Sequence, residues 1–228
     1  MNRKKLPALS VLTLVVFFSC TLVSNAFGFG LKNLTSGNKE KAIDIDKLVD
    51  NQNHLSKKLA VALKQINEAQ SHFANALGDK KKAEECMQIA KSLDGGNTAD
   101  ELAKIVDKTS KNAEMQKEQL MKTKAFDGEK KRELQAGLVP YAKGTANSVI
   151  LGKDFADHLK STTDAVKQAG ITDAMSIKKK LGITLAVAPK LPKLSESLVT
   201  TANTAMETAK KENLKTSDAN DALASLDM

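Results

Sequence analysis

The chain is 228 residues long, 41% apolar and 27% charged, with a formal net charge of +8. That apolar share supports a packed core and excludes a wholly disordered chain, while two cysteines exclude a disulfide scaffold and a four-cysteine zinc site. Aromatic residues at only 4%, with β-branched residues unclustered, argue against a sandwich or barrel and leave an Ala, Leu and Lys palette of helix formers.

Residues 1–26 read as a cleaved export signal. Arg3, Lys4 and Lys5 precede an apolar run from Leu6 to Val23, and Ser24-Asn25-Ala26 presents the small residues a signal peptidase reads. The expected product is soluble and periplasmic. Outer-membrane lipidation at Cys20 is the lesser alternative, because the residue three positions before it is Phe17 rather than Leu or Val. Removal of the signal leaves 32 basic against 27 acidic residues, a net charge of +5, and Cys86 as the remaining thiol.

Residues 27–43 lack periodicity and read as a flexible leader. A helical bundle domain is expected over 44–212. Ile45, Leu48, Gln52, Leu55, Leu59, Ala62, Ile66, Ala69, Phe73 and Ala76 alternate in steps of three and four, a heptad seam with one polar interruption. Gly78-Asp79 predicts a break or kink, and Asp94-Gly95-Gly96 a stop. Thr98 to Glu101 is a capping box. The helix it opens turns Leu102, Val106, Thr109, Ala113 and Leu120 inward, a polar seam that points to the least buried helix. Phe126-Asp127-Gly128 is expected to close it, with the next helix starting at Glu129.

That helix keeps its spacing from Leu134 to Ala169 and contains Pro140, which predicts a bend. A short helix over Asp173 to Leu181 follows, and Leu191, Leu194, Leu198, Thr201 and Ala205 continue as a last helix. Residues 213–228 read as a polar, frayed tail. Gly78 to Lys82 and Gly128 to Arg132 resemble one another, but helix-start chemistry explains both without a repeat. The fold class predicted is all-α: an elongated antiparallel bundle of long heptad-patterned helices with left-handed packing.

Few residues suggest chemistry. His54 and His72 share a helix face but stand about 27 Å apart along it. Asp154 and His158, at i and i+4, make half a metal site, and a solvent-facing pair is the preferred reading. No nucleophile motif or phosphate loop is present, so no catalytic residue, metal or cofactor is expected. Of the 35 basic residues 33 are lysine, which disfavours nucleic acid as a partner. Lys80, Lys81, Lys82, Lys178, Lys179 and Lys180 are candidate electrostatic contacts for anionic lipid or acidic envelope polymers.

Gly137, Gly144 and Gly152, with Tyr141, form a helix stripe in which each glycine costs about 1 kcal/mol against alanine. Close approach of a neighbouring helix explains it blandly; a ligand gap there, covered by the apolar Ile183 to Ala188 segment with Leu185 and Val187, is the functional account. Two functions stay in view. The first is an exported, non-enzymatic binding or scaffolding module for another envelope protein or component. The second is a carrier of an apolar small molecule or lipid held between helices.

Overall fold

The computed structural model describes residues 44–93 and 96–224. The expected signal, the leader, Cys20 and the Asp94-Gly95 part of the turn lie outside the described residues, as do the last four. Every element described is helical: α1 (Ile45–Ala76), α2 (Lys80–Ser92), α3 (Ala99–Lys122), α4 (Gly128–Gln168), α5 (Ile171–Lys180), α6 (Gly182–Val187), a 3₁₀ turn (Ala188–Lys190), α7 (Leu191–Lys211) and α8 (Ser217–Ala224). No strand occurs among the described residues.

Local chemistry sets the helix ends. Asp44, Asp79 and Asp127 each accept a hydrogen bond from the backbone N–H three residues on, at 3.0, 2.9 and 2.9 Å. The Thr98 box forms in both directions, with Thr98 N–H donating to Glu101 at 2.9 Å and Glu101 N–H to Thr98 at 3.4 Å. Gly78 ends α1 in the left-handed region at φ 82. Its N–H reaches the Asn75 carbonyl at 2.9 Å and the Asp79 N–H reaches Ala74 at 2.8 Å, so the helix is closed by two reversed bonds. Gly78-Asp79 is therefore a full break.

Three expected boundaries move. Asp127 opens α4 as its cap instead of closing α3, which has already ended at Lys122. The short fifth helix starts at Ile171 with Gly170 as its cap position. The tail expected to fray contains α8, whose Ala219 is buried and whose Leu223 packs on the main core. Helix α4 runs for 41 residues through Pro140.

Helices α1, α3, α4 and α7 supply most of the main core, and Ile89 of α2, Val187 of α6 and Ala219 of α8 complete it. Helices α1 and α4 run antiparallel, shown by contacts of Leu48 with His158, Ile66 with Gly144 and His72 with Glu133. Helix α7 runs antiparallel to α4, since Gly152 faces Leu191 and Ser195 while Tyr141, earlier on α4, stands beside Thr201, later on α7. Helices α3 and α7 are parallel neighbours: Asp107, Ser110 and Ala113 meet Lys190, Ser197 and Thr201 in the same order. The expectation of antiparallel neighbours fails there for a topological reason. Helices α3 and α4 follow one another but face across the bundle instead of packing together, and α5 and α6 return the chain to the end where α3 begins.

Leu59, Leu63, Ile66, Phe73, Leu134, Phe155, Leu191, Leu194 and Leu198 are fully buried, each adding about 1.5–3 kcal/mol by leaving water. A smaller, separate cluster of Ala165, Ile177 and Leu181 holds α5 against α4 and the start of α1. No helix among the described residues is long and apolar enough to cross a membrane.

Candidate functional site: a basic-rimmed groove between α1 and α4

The seam residues of α1 and α4 point into the core, which leaves a second stripe of each helix facing out beside the contact line. On α1 this stripe is His54, Lys57, Lys58 and Val61; on α4 it is Asn147, Ile150, Leu151 and Asp154. Both repeat the same three-four-seven spacing, so each is one helix face. They line one groove of about 490 Å³ that is open to solvent. The register that joins Leu48 to His158 and Ile66 to Gly144 sets His54 across from Asp154 and Val61 across from Asn147.

The groove has an apolar floor and a basic rim. Leu151 is buried beneath it, while Val61 and Ile150 are 59% and 47% exposed, high values for aliphatic side chains. Lys57 and Lys58 form no ion pair among the described residues. Asp154 is the single acid in the lining.

At the glycine stripe the preferred reading, close approach of a neighbouring helix, is what α1 provides at Gly137 and Gly144, and no ligand gap is left there. A Cβ on Gly137 would stand 2.6 Å from the Phe73 ring, and one on Gly144 would stand 2.6 Å from Ile66 and 3.1 Å from the Ala62 carbonyl. Tyr141 is buried against Phe73 with ring centroids 5.1 Å apart. Gly152 belongs to a different contact, with nothing nearer its Cβ position than Ser195 at 3.5 Å. Leu185 and Val187 do not cover this stripe. Their neighbour Thr184 bonds Gln52 and His158, and Gln52 lies about 21 Å along α1 from Ile66 at about 1.5 Å per residue. Val187 is buried in the main core and Leu185 is half-buried.

His158, His72 and Cys86 serve the fold, whereas His54 lines the groove. His158 Nε2 lies 2.9 Å from the Leu48 carbonyl, which only accepts, so Nε2 carries the proton. Nδ1 lies 3.0 Å from the Thr184 hydroxyl and 3.4 Å from that of Thr162. Both ring nitrogens are engaged, and Asp154 is turned away into the groove, so the two do not form half a metal site. No group of three or more His, Cys, Asp or Glu residues suited to a metal occurs among the described residues. His72 joins α1 to α4 through Glu133 at 2.8 Å. Cys86 is buried, and loss of hydration pushes its thiol up to about 12, so it is a poor nucleophile.

Of the lysine clusters, Lys80 and Lys81 are exposed at the start of α2 and Lys82 is drawn to Glu85 at 2.7 Å. Lys178, Lys179 and Lys180 are exposed at the end of α5, and Lys180 lies 3.8 Å from Asp46.

A buried polar network lies where the spacing predicts the least buried helix. The polar seam of α3 is interior: Thr109, Ser110, Asn112 and Gln116 are all buried. Asn67 donates to Thr109 at 2.9 Å, Gln70 donates to the Thr109 carbonyl at 3.0 Å, and Gln116 donates to the Gln70 carbonyl at 2.6 Å. Thr201 donates to the Ala113 carbonyl at 2.9 Å. This network ties α1, α3 and α7 in one register. The two stripes of the groove are residues one step outside each apolar seam. No protein-family model matches the chain, and neither the curated proteins nor the solved structures compared with it yield a match.

Proposed function

We propose that this chain is an exported, non-enzymatic binding module of the cell envelope. It takes an acidic, amphipathic segment of a partner protein into the groove between α1 and α4. The observation that carries this reading is the pairing of exposed Val61 and Ile150 with unpaired Lys57 and Lys58 along one lining. An apolar floor rewards burial of a partner's apolar stripe, and the basic rim selects acidic flanks and speeds encounter. The same reading makes the long α1 and α4 pair a left-handed, heptad-packed scaffold that presents the groove rigidly. Support for a binding role over chemistry comes from His158 and Cys86, both committed to the interior.

The test uses a fluorescent helical peptide with leucines on one face and glutamates beside them, followed by anisotropy. Binding is expected at low salt and should weaken steeply as salt rises. Lys57→Glu with Lys58→Glu, and separately Val61→Glu, should each weaken it about tenfold or more. Absence of binding at low salt, or equal binding by these variants, would overturn the proposal. All three positions are exposed, so the fold is expected to survive, as unchanged helical circular dichroism would show.

A further inference from the structure

A second apolar and basic surface lies on α5, which shares no residue with the groove lining. Helix α5 has ten residues and buries only Ile177 among them. Its two remaining large apolar side chains face water, Ile171 at 87% and Met175 at 70% exposure. At about 100° per residue, Ile171, Met175, Lys178 and Lys179 fall within an arc of about 100°, and the helix's one acid, Asp173, lies at least about 120° outside it. Lys178 and Lys179 form no ion pair among the described residues, whereas Lys180, on the far side of the arc, is turned toward Asp46. The helix is anchored beneath by the small cluster around Ile177 and Leu181 rather than by the main core.

We propose that this face of α5 docks on an anionic lipid bilayer, with Ile171 and Met175 entering the head-group boundary and Lys178 and Lys179 lying among the lipid phosphates. The charge pattern selects a negative surface and the acid is placed away from it. The contact area favours a bilayer over a protein. Two apolar side chains and two lysines fall far short of the roughly 800 Å² per partner of a stable protein interface, but together they are the two signals that give reversible membrane attachment. The docked helix lies on the surface and does not span it.

Vesicles of phosphatidylglycerol with phosphatidylcholine, against vesicles of phosphatidylcholine alone, provide the test. The chain has no tryptophan, so Met175→Trp gives one emission signal from the proposed contact. It should shift to the blue with the anionic vesicles at low salt and stay unshifted with neutral ones. Lys178→Glu with Lys179→Glu should lower co-sedimentation about tenfold or more, and Ile171→Ser with Met175→Ser by about tenfold. Each variant keeps the N-terminus unchanged, so any vesicle affinity of the apolar run in residues 1–26 cancels in the comparison. Charge reversal at Lys80, Lys81 and Lys82 should leave binding as it was. The proposal fails if anionic vesicles neither bind the protein nor shift the emission, if the α5 variants bind as well as the parent, or if the α2 reversal weakens binding as much. Emission shifted by a protein partner but not by vesicles would assign the face to protein instead, which also overturns it.

Discussion

The three glycines of α4 look alike in sequence and differ in what surrounds them. Gly137 and Gly144 are where α4 lies closest to α1, and a methyl group at either would sit 2.6 Å from a buried side chain and 3.1 Å from a backbone oxygen. Phe73 cannot yield easily, because it is itself packed on Tyr141. Gly137→Ala and Gly144→Ala should each destabilise the protein by about 1–3 kcal/mol, the overpacking cost outweighing the gain of about 1 kcal/mol in helix propensity. Gly152 has ordinary contact distances of 3.5 and 3.9 Å to α7. Gly152→Ala should therefore raise stability by about 0.5–1 kcal/mol. Urea midpoints for the three variants check this; destabilisation by Gly152→Ala equal to the others would mean that the stripe acts as one unit.

At the scale of elements, apolar periodicity and side-chain caps made the helices legible. Asp44, Asp79 and Thr98 announce α1, α2 and α3 because an acceptor at the cap position satisfies an N–H that the helix leaves open. The same rule assigns α4 to Asp127, one position before Gly128, whereas the spacing predicts a start at Glu129, after the glycine. Helix α8 lies in what composition predicts to be a polar tail, and the signal that precedes it is Asn213. It occupies the left-handed region at φ 59, its N–H bonds the Lys210 carbonyl, and the Leu214 N–H bonds Ala209 at 2.8 Å, the closure Gly78 gives α1. An asparagine followed by a leucine that packs on the core is thus a stop-and-return signal, not fraying. The polar seam of α3 misled for a different reason. Hydropathy cannot tell a solvated threonine or glutamine from one whose partner comes from another helix, and the pairs here are separated by 39 to 46 residues. The groove was illegible likewise, since it exists only where two stripes about ninety positions apart are brought together. If Gly78 and Asp79 act as separate stop and start signals, Gly78→Ala and Asp79→Ala should each cost about 1–2 kcal/mol, the first through strain at positive φ and the second through the lost cap. Thermal denaturation of both variants, with the double variant close to their sum, checks it; a neutral Gly78→Ala would mean that α1 and α2 join without that turn.

For the molecule as a whole, the groove, the buried histidine and the α5 anchor all depend on four helices staying in register, and alkaline pH probes that register from inside. Burial is the largest influence on both Cys86 and Tyr141. It pushes the thiol from 9.0 up to about 12 and raises the phenol above its ordinary 10.0, the nearby Thr201 and Gln70 side chains opposing it only in part. A proton held more tightly in the folded state adds stability that is fully present below the unfolded value. The unfolded chain loses its thiol proton from about 9.0 and its phenol proton from about 10.0. The folded chain keeps both, so stability falls as pH rises through that window. The slope approaches about 1.4 kcal/mol per pH unit for each group until the folded values are reached. Tyr141→Phe removes the phenol's share together with a buried hydroxyl that stands near the Thr201 and Gln70 side chains without reaching full hydrogen-bond geometry to either. It should thus be close to neutral at pH 7 and more stable than the parent at pH 11. Urea unfolding across pH 7–12 for parent, Tyr141→Phe and Cys86→Ala separates these terms from the general titration of lysines, which all three proteins share. If the parent and Tyr141→Phe curves run parallel to pH 12, the phenol is ionised equally in both states, and the interior that aligns α1, α4 and α7 admits water at its centre.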